Sequence, residues 1–199
     1  MKIATERPYR QRARAAAADD RTDRIMRAAD ELFREVPFEQ LTLAAVAERA
    51  GVGLQTLIRR VGTKDGLVRA AIEHMAPQLQ GWRGEIPPPD PERVAAIVCE
   101  QYRQTGDGLD RMIRQEDSSP ALGEAVRAGR AAHAAWVGEV FAEAIEAVGP
   151  ADREGLRARL IAVTGVELYL VLSRDCVLDA DRTRHAVTAL LRDTLAGAA

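Results

Sequence analysis

Apolar side chains begin to recur at helical spacing near Thr22, where Ile25, Met26, Ala29, Leu32 and Phe33 fall on one stripe. The stripe predicts a first helix, and Val36-Pro37 ends it because proline has no N–H to continue the backbone ladder. Phe38 and Leu41 then pack beneath it. Two short amphipathic segments follow. Thr42 is a hydroxyl N-cap for a helix to about Arg49, with Leu43, Val46 and Ala47 turned inward. Ala47 is small, as closely crossing helices require, and Gly51 supplies the left-handed backbone of a tight inter-helix turn. Val52 and Leu57 anchor the next helix to the same core and leave Leu54, Gln55, Thr56, Arg59 and Arg60 on its outer side. A fourth helix is predicted from Thr63. Asp65 sits in its first turn, where the helix dipole favours an acid, and Leu67, Ala71, Ile72 and Met75 give it an apolar face.

The proline-rich stretch from Gly81 to Pro91 is the clearest break in the chain. Beyond it Asp90-Pro91 caps a helix holding Val94, Ile97, Val98 and Tyr102, predicted to stop at Gly106, and a short helix carries Leu109, Met112 and Ile113. Ser119-Pro120 opens a long helix with Leu122, Val126, His133, Trp136, Val137, Val140, Phe141 and Ile145 on its apolar side. Gly149-Pro150 separates it from another that runs to about Ser173. Asp179 or Asp181 caps the last, which carries Val187, Leu190, Leu191 and Leu195. No strand alternation or internal repeat interrupts this pattern. The expected fold is all-α, with about nine helices. A flexible basic arm spans 1–20, a three-helix helix-turn-helix domain 21–66 and a larger helical domain 67–199.

Composition sharpens the division. The net charge of −2 argues by itself against a nucleic-acid partner, but residues 1–64 carry 13 Lys+Arg against 9 Asp+Glu, and the rest 15 against 21. A basic end on an acidic body suits a DNA-reading head. Cys99 and Cys176 lie far apart with no metal-ligand spacing, so zinc is not expected and reduced thiols are the default. The N-terminus lacks an apolar signal core, and the most apolar stretch, Leu160 to Leu172, is too short to span a bilayer. A soluble cytoplasmic chain without membrane contact is expected. No phosphate-binding glycine loop or GxSxG occurs, and His74, His133 and His185 are scattered. Neither cofactor nor enzyme activity is therefore expected.

The outer side of the third helix is chemically suited to a major groove. Gln pairs with adenine edges, Arg with guanine, and a Thr hydroxyl or methyl with a base or a phosphate. Thr63 and Lys64 are placed to hold the sugar-phosphate backbone. A helical hairpin with a solvated basic face is the bland alternative. From Arg24 to about Leu67 the sequence resembles the TetR family of bacterial regulators. The resemblance rests on Ala28-Ala29, Leu32-Phe33, Thr42, Val46-Ala47, Ala50-Gly51-Val52, Thr56-Leu57 and Lys64-Asp65 with Leu67. It implies a repressor that binds a palindromic operator as a homodimer. Three departures stand out: Val36-Pro37 replaces a glycine, Gly53 replaces a serine or threonine, and Ile58 and Val61 replace two aromatics. Carried over as DNA contacts are Thr42, Gln55, Thr56, Arg59, Arg60 and Lys64, with Ile58 left as packing. Arg10, Arg12 and Arg14 become candidates for the adjacent minor groove, against a disordered tail.

The same resemblance implies that the body dimerises through its last two helices and binds a small molecule between the others. The apolar faces there are Leu156, Leu160, Val163, Leu168 and Val171, then Val187, Leu190 and Leu191. They suit a four-helix interface or, alternatively, a monomer's own core. Tyr102, Met112, His133, Trp136, Phe141 and Tyr169 are the candidate effector contacts, being larger or more polar than their Ala/Val/Leu surroundings. The low aromatic content, 4%, favours an apolar effector. The rival readings are a DNA-binding or partner-binding helical protein without an effector, and an enzyme with an unrecognised site.

Overall fold

The computed structural model describes residues 6–83 and 90–197, with side chains described at 19–77, 81 and 90–197. Among the described residues are ten α-helices and no strand. These are α1 (Glu6–Glu35), α2 (Leu43–Ala50), α3 (Leu54–Val61), α4 (Lys64–Arg83), α5 (Pro91–Arg114), α6 (Pro120–Val140), α7 (Ala142–Ala147), α8 (Arg153–Val163), α9 (Val166–Leu170) and α10 (Ala180–Ala196). They sort into two compact units. One runs to Met75 and takes in Asp117–Leu122; the other holds Ala76–Glu116 and the chain from Gly123 onward.

The first unit, the head, is built on the predicted stripe. Ile25, Ala29 and Leu32 of α1 meet Val46 and Ala47 of α2, Leu57 and Val61 of α3, and Leu67 of α4. Phe38 and Leu41 are buried in and after a single 3₁₀ turn at Phe38–Gln40. α1 starts at Glu6 instead of near Thr22. Its opening turns are rich in alanine, which favours helix by propensity without leaving any apolar period to read. The backbone of 6–20, expected as a flexible arm, is thus helical. The side chains of Arg10, Arg12 and Arg14 lie outside the described residues.

In the second unit, the body, Val94, Val98 and Tyr102 of α5 share one core with Trp136 and Val137 of α6, with Phe141, with Leu156 and Leu160 of α8, and with Val187 and Leu191 of α10. Three predicted boundaries move. α5 runs through Gly106, which is buried against Tyr169 and Leu170, so this glycine serves close packing and not a stop. The long helix divides at the fully buried Phe141, where φ is −106° and ψ 20°. The helix predicted to reach Ser173 divides at Thr164-Gly165. There the Thr164 hydroxyl donates to the Leu160 carbonyl at 2.7 Å, and Gly165 turns extended. Beyond α9 the backbone widens into a π-helical turn, Val171–Asp175.

Candidate nucleic-acid interface and body cluster

The recognition geometry starts from the turn. Thr42 Oγ1 accepts the Ala45 N–H at 3.1 Å and fixes the start of α2. Gly51 ends α2 in the left-handed region, φ 64° and ψ 39°, and its N–H returns to the Glu48 carbonyl at 3.1 Å. The Val52 N–H reaches the Ala47 carbonyl at 2.9 Å, so α3 leaves the turn in one defined direction. Leu57 and Val61 are the buried side of α3; Leu54, Gln55, Ile58, Arg59 and Arg60 are exposed and Thr56 half-buried. Ile58, expected as packing, is 36% exposed and lies with Leu54 at the edge between the buried side and the outer arc.

The cations of this surface differ in their freedom. Arg59 makes no hydrogen bond or ion pair to the described residues and lies at the middle of the outer arc. Arg60 donates from Nη2 to Thr22 Oγ1 at 2.5 Å, which couples the end of α3 to α1. Arg49 is bound to Glu35 at 2.5 Å; that hydrogen bond is the main reason the Glu35 carboxyl falls below its ordinary pKa and Arg49 rises above its own. Lys64 is engaged inward. Its Nζ donates to the carbonyls of Phe38 at 2.7 Å and Glu39 at 3.3 Å, and stands 4.4 Å from the centre of the Phe38 ring. These contacts tie the start of α4 to the 3₁₀ turn.

The α3–α4 junction is unusually constrained. Gly62, at φ 71° and ψ −73°, sits at the centre of a three-residue turn closed by the Thr63 N–H on the Val61 carbonyl at 2.8 Å. Thr63 Oγ1 caps α4 by accepting the Gly66 N–H at 3.0 Å. A Cβ added at Gly66 would fall on the Val61 carbonyl oxygen. Nearby, Ser119 Oγ donates to Asp65 Oδ1 at 2.9 Å. A hydrogen bond from Ser118 is the largest cause of a lowered Glu39 pKa. Residues 117–122 thereby belong to the head.

In the body, the sequence candidates gather around a residue the sequence did not flag, Thr164. It is fully buried. The Tyr102 hydroxyl donates to its carbonyl at 3.1 Å, and His133 Nε2 lies 3.1 Å from its Oγ1 and 3.4 Å from the Ile161 carbonyl. Since the Thr164 hydroxyl is committed as donor to Leu160, these contacts call for the proton on His133 Nε2. Trp136 stacks on His133 with ring centres 5.9 Å apart, and Tyr169 tilts against Tyr102 at 5.7 Å. Phe141 is plain core. Met112 is half-buried and stands outside that core cluster. The expected interface residues also divide: Leu156, Leu160, Val187 and Leu191 are buried in the protomer's own core, whereas Val171 and Leu190 stay exposed, as does Val177, which the sequence reading did not include. Among the described residues no group of His, Cys, Asp and Glu could hold a metal ion, and no helix is long and apolar enough to cross a membrane.

Residues 25–71 match the family model of bacterial regulatory proteins, tetR family. No curated protein matches the chain in sequence. The fold is that of solved transcriptional regulators. A regulator from Rhodococcus sp. superposes with a TM-score of 0.70 at 21% identity, covering 89% of this chain and 97% of its own. GusR of Salmonella enterica gives 0.67 at 21%, covering 89% and 94%. FadR of Bacillus subtilis, in complex with stearoyl-CoA, gives 0.64 at 17%, covering 84% and 96%.

Proposed function

We propose, from the tetR-family head at residues 25–71, that this chain is a repressor that binds a palindromic operator as a homodimer and releases it when a small molecule enters the body. The observation that carries the reading is α3. Its buried side is fixed by Leu57 and Val61, and its outward side offers Gln55, Thr56 and the unengaged Arg59 on a helix without acidic residues. Gln55 suits an adenine edge and Arg59 a guanine. Thr42 and Thr63 cap their helices through Oγ as acceptor, and each hydroxyl proton remains available to a phosphate. Arg60 reaches DNA from its tether on Thr22, and Arg10, Arg12 and Arg14 remain the candidates for the minor groove.

Dimerisation follows from reading length, because one helix-turn-helix covers only one half-site. Exposed Val171, Val177 and Leu190, all near the C-terminal helices, supply apolar surface for it. The effector is largely apolar and is held near the Tyr102–His133–Thr164 cluster, with Trp136 and Tyr169 as aromatic walls. The stearoyl-CoA complex of the Bacillus subtilis regulator supports a body of this fold that takes an apolar-chain ligand. Release works by linkage: an effector that prefers a body conformation incompatible with operator spacing weakens DNA binding by the matching factor. The protein acts where the chromosome is, in the cytoplasm.

The test is a gel shift on the intergenic DNA beside its own gene. Arg59→Ala weakens binding about 10- to 100-fold, the worth of one bidentate base contact, with the oligomeric state unchanged in sedimentation. Unaltered affinity refutes the assignment of α3 as the reading helix.

A further inference from the structure

Leu54 and Ile58 are the two large apolar side chains of the head, among the described residues, that stay open to solvent, at 39% and 36% exposure. They stand one helical turn apart on α3, so they form a single stripe. Gln55 and Arg59 form the neighbouring stripe at the same spacing. Neither aliphatic group belongs to the head's core cluster, to which α3 contributes Leu57 and Val61; Leu54 and Ile58 border that buried side and lie between it and Gln55 and Arg59. An exposed helical face is ordinarily polar. The occupant of this stripe must therefore offer small apolar groups beside polar edges, inside a negatively charged surround, because Gln55 and Arg59 form the exposed stripe beside it and α3 has no acid. The major groove offers one such group, the C5-methyl of thymine.

We propose that Leu54 and Ile58 read thymine methyl groups, so that each operator half-site carries thymine facing this stripe, next to the base pair read by Gln55. The inference deepens the DNA-binding reading and rests on it. It also gives Ile58 a role: the side chain supplies base discrimination through contact area.

The experiment uses the full chain. A bound site is selected from a random-sequence duplex pool and remade with each thymine replaced singly by deoxyuridine, which removes only the methyl. At one or two positions per half-site the loss is about fourfold, the worth of one buried methyl. At those positions Leu54→Ala or Ile58→Ala binds the thymine and deoxyuridine duplexes equally, as coupled partners do. Both side chains are exposed, so circular dichroism of the variants matches the parent. Deoxyuridine tolerated everywhere, or a penalty undiminished in both variants, overturns the inference and leaves the DNA-binding reading standing. Failure to enrich any sequence overturns both.

Discussion

Alanine in place of glycine normally stabilises a helix interior by about 0.5–1 kcal/mol; at Gly66 the sign reverses. The new Cβ would overlap the Val61 carbonyl oxygen and lie 3.0 Å from its carbon, and both obstacles are backbone that cannot swing aside. Relief requires opening the α3–α4 junction, with loss of the Thr63 N–H to Val61 bond at 2.8 Å and the Gly66 N–H to Thr63 bond at 3.0 Å. At about 1 kcal/mol each these account for about 2 kcal/mol. Displacing the buried Leu67 one residue away brings the cost of Gly66→Ala to about 2–4 kcal/mol. For a unit of this size that lowers the melting temperature of the head by about 10–25 °C. Gly129→Ala is the control: this glycine lies in α6, exposed, with nothing within 4 Å of an added Cβ, so the ordinary helical gain applies. Hydrogen exchange of peptides spanning 25–71 in the full chain, under a urea gradient, reads the head by itself. If Gly66→Ala protects those amides as well as the parent, while peptides of α6 gain protection in Gly129→Ala, the close approach of Gly66 to the Val61 carbonyl is refuted.

Two further outcomes follow from the same structure. Burial pushes the Cys99 thiol up to about 11, whereas Cys176 is exposed, so a thiol reagent at pH 8 titrates one cysteine in the native chain and two in denaturant; two fast native thiols contradict the packing of α5. Ser119→Ala removes the partner of Asp65 and the cap on the Leu122 N–H, and lowers head stability by about 1–2 kcal/mol in urea melts, with no change if residues 117–122 do not belong to the head.

The helix-turn-helix is legible in the sequence because its determinants are local. Thr42 and Gly51 act on backbone within a few residues, and Leu57 completes a core whose other members repeat with the helical period. The misreadings come from partners distant in sequence. Nothing near Lys64 in sequence announces the Phe38 carbonyl, 26 residues earlier, to which its ammonium donates. Gly106 looks like a stop until Tyr169 and Leu170 pack on it. Thr164 is one polar residue in an apolar run, and gains meaning only from His133 and Tyr102, 31 and 62 residues away. Ile58 is ambiguous for another reason: it sits at the edge of the apolar arc, one turn from Leu54, where the degree of exposure depends on how α3 is rotated against its neighbours.

The membership of Asp117–Leu122 in the head bears on modularity. The reading domain is not a continuous stretch of chain that could be cut at Met75 and carried elsewhere. A fragment ending there leaves the Asp65 and Glu39 carboxylates without Ser119 and Ser118. Swapping operator preference between regulators of this layout thus calls for exchanging two pieces of sequence together, or for confining the graft to the outward positions of α3.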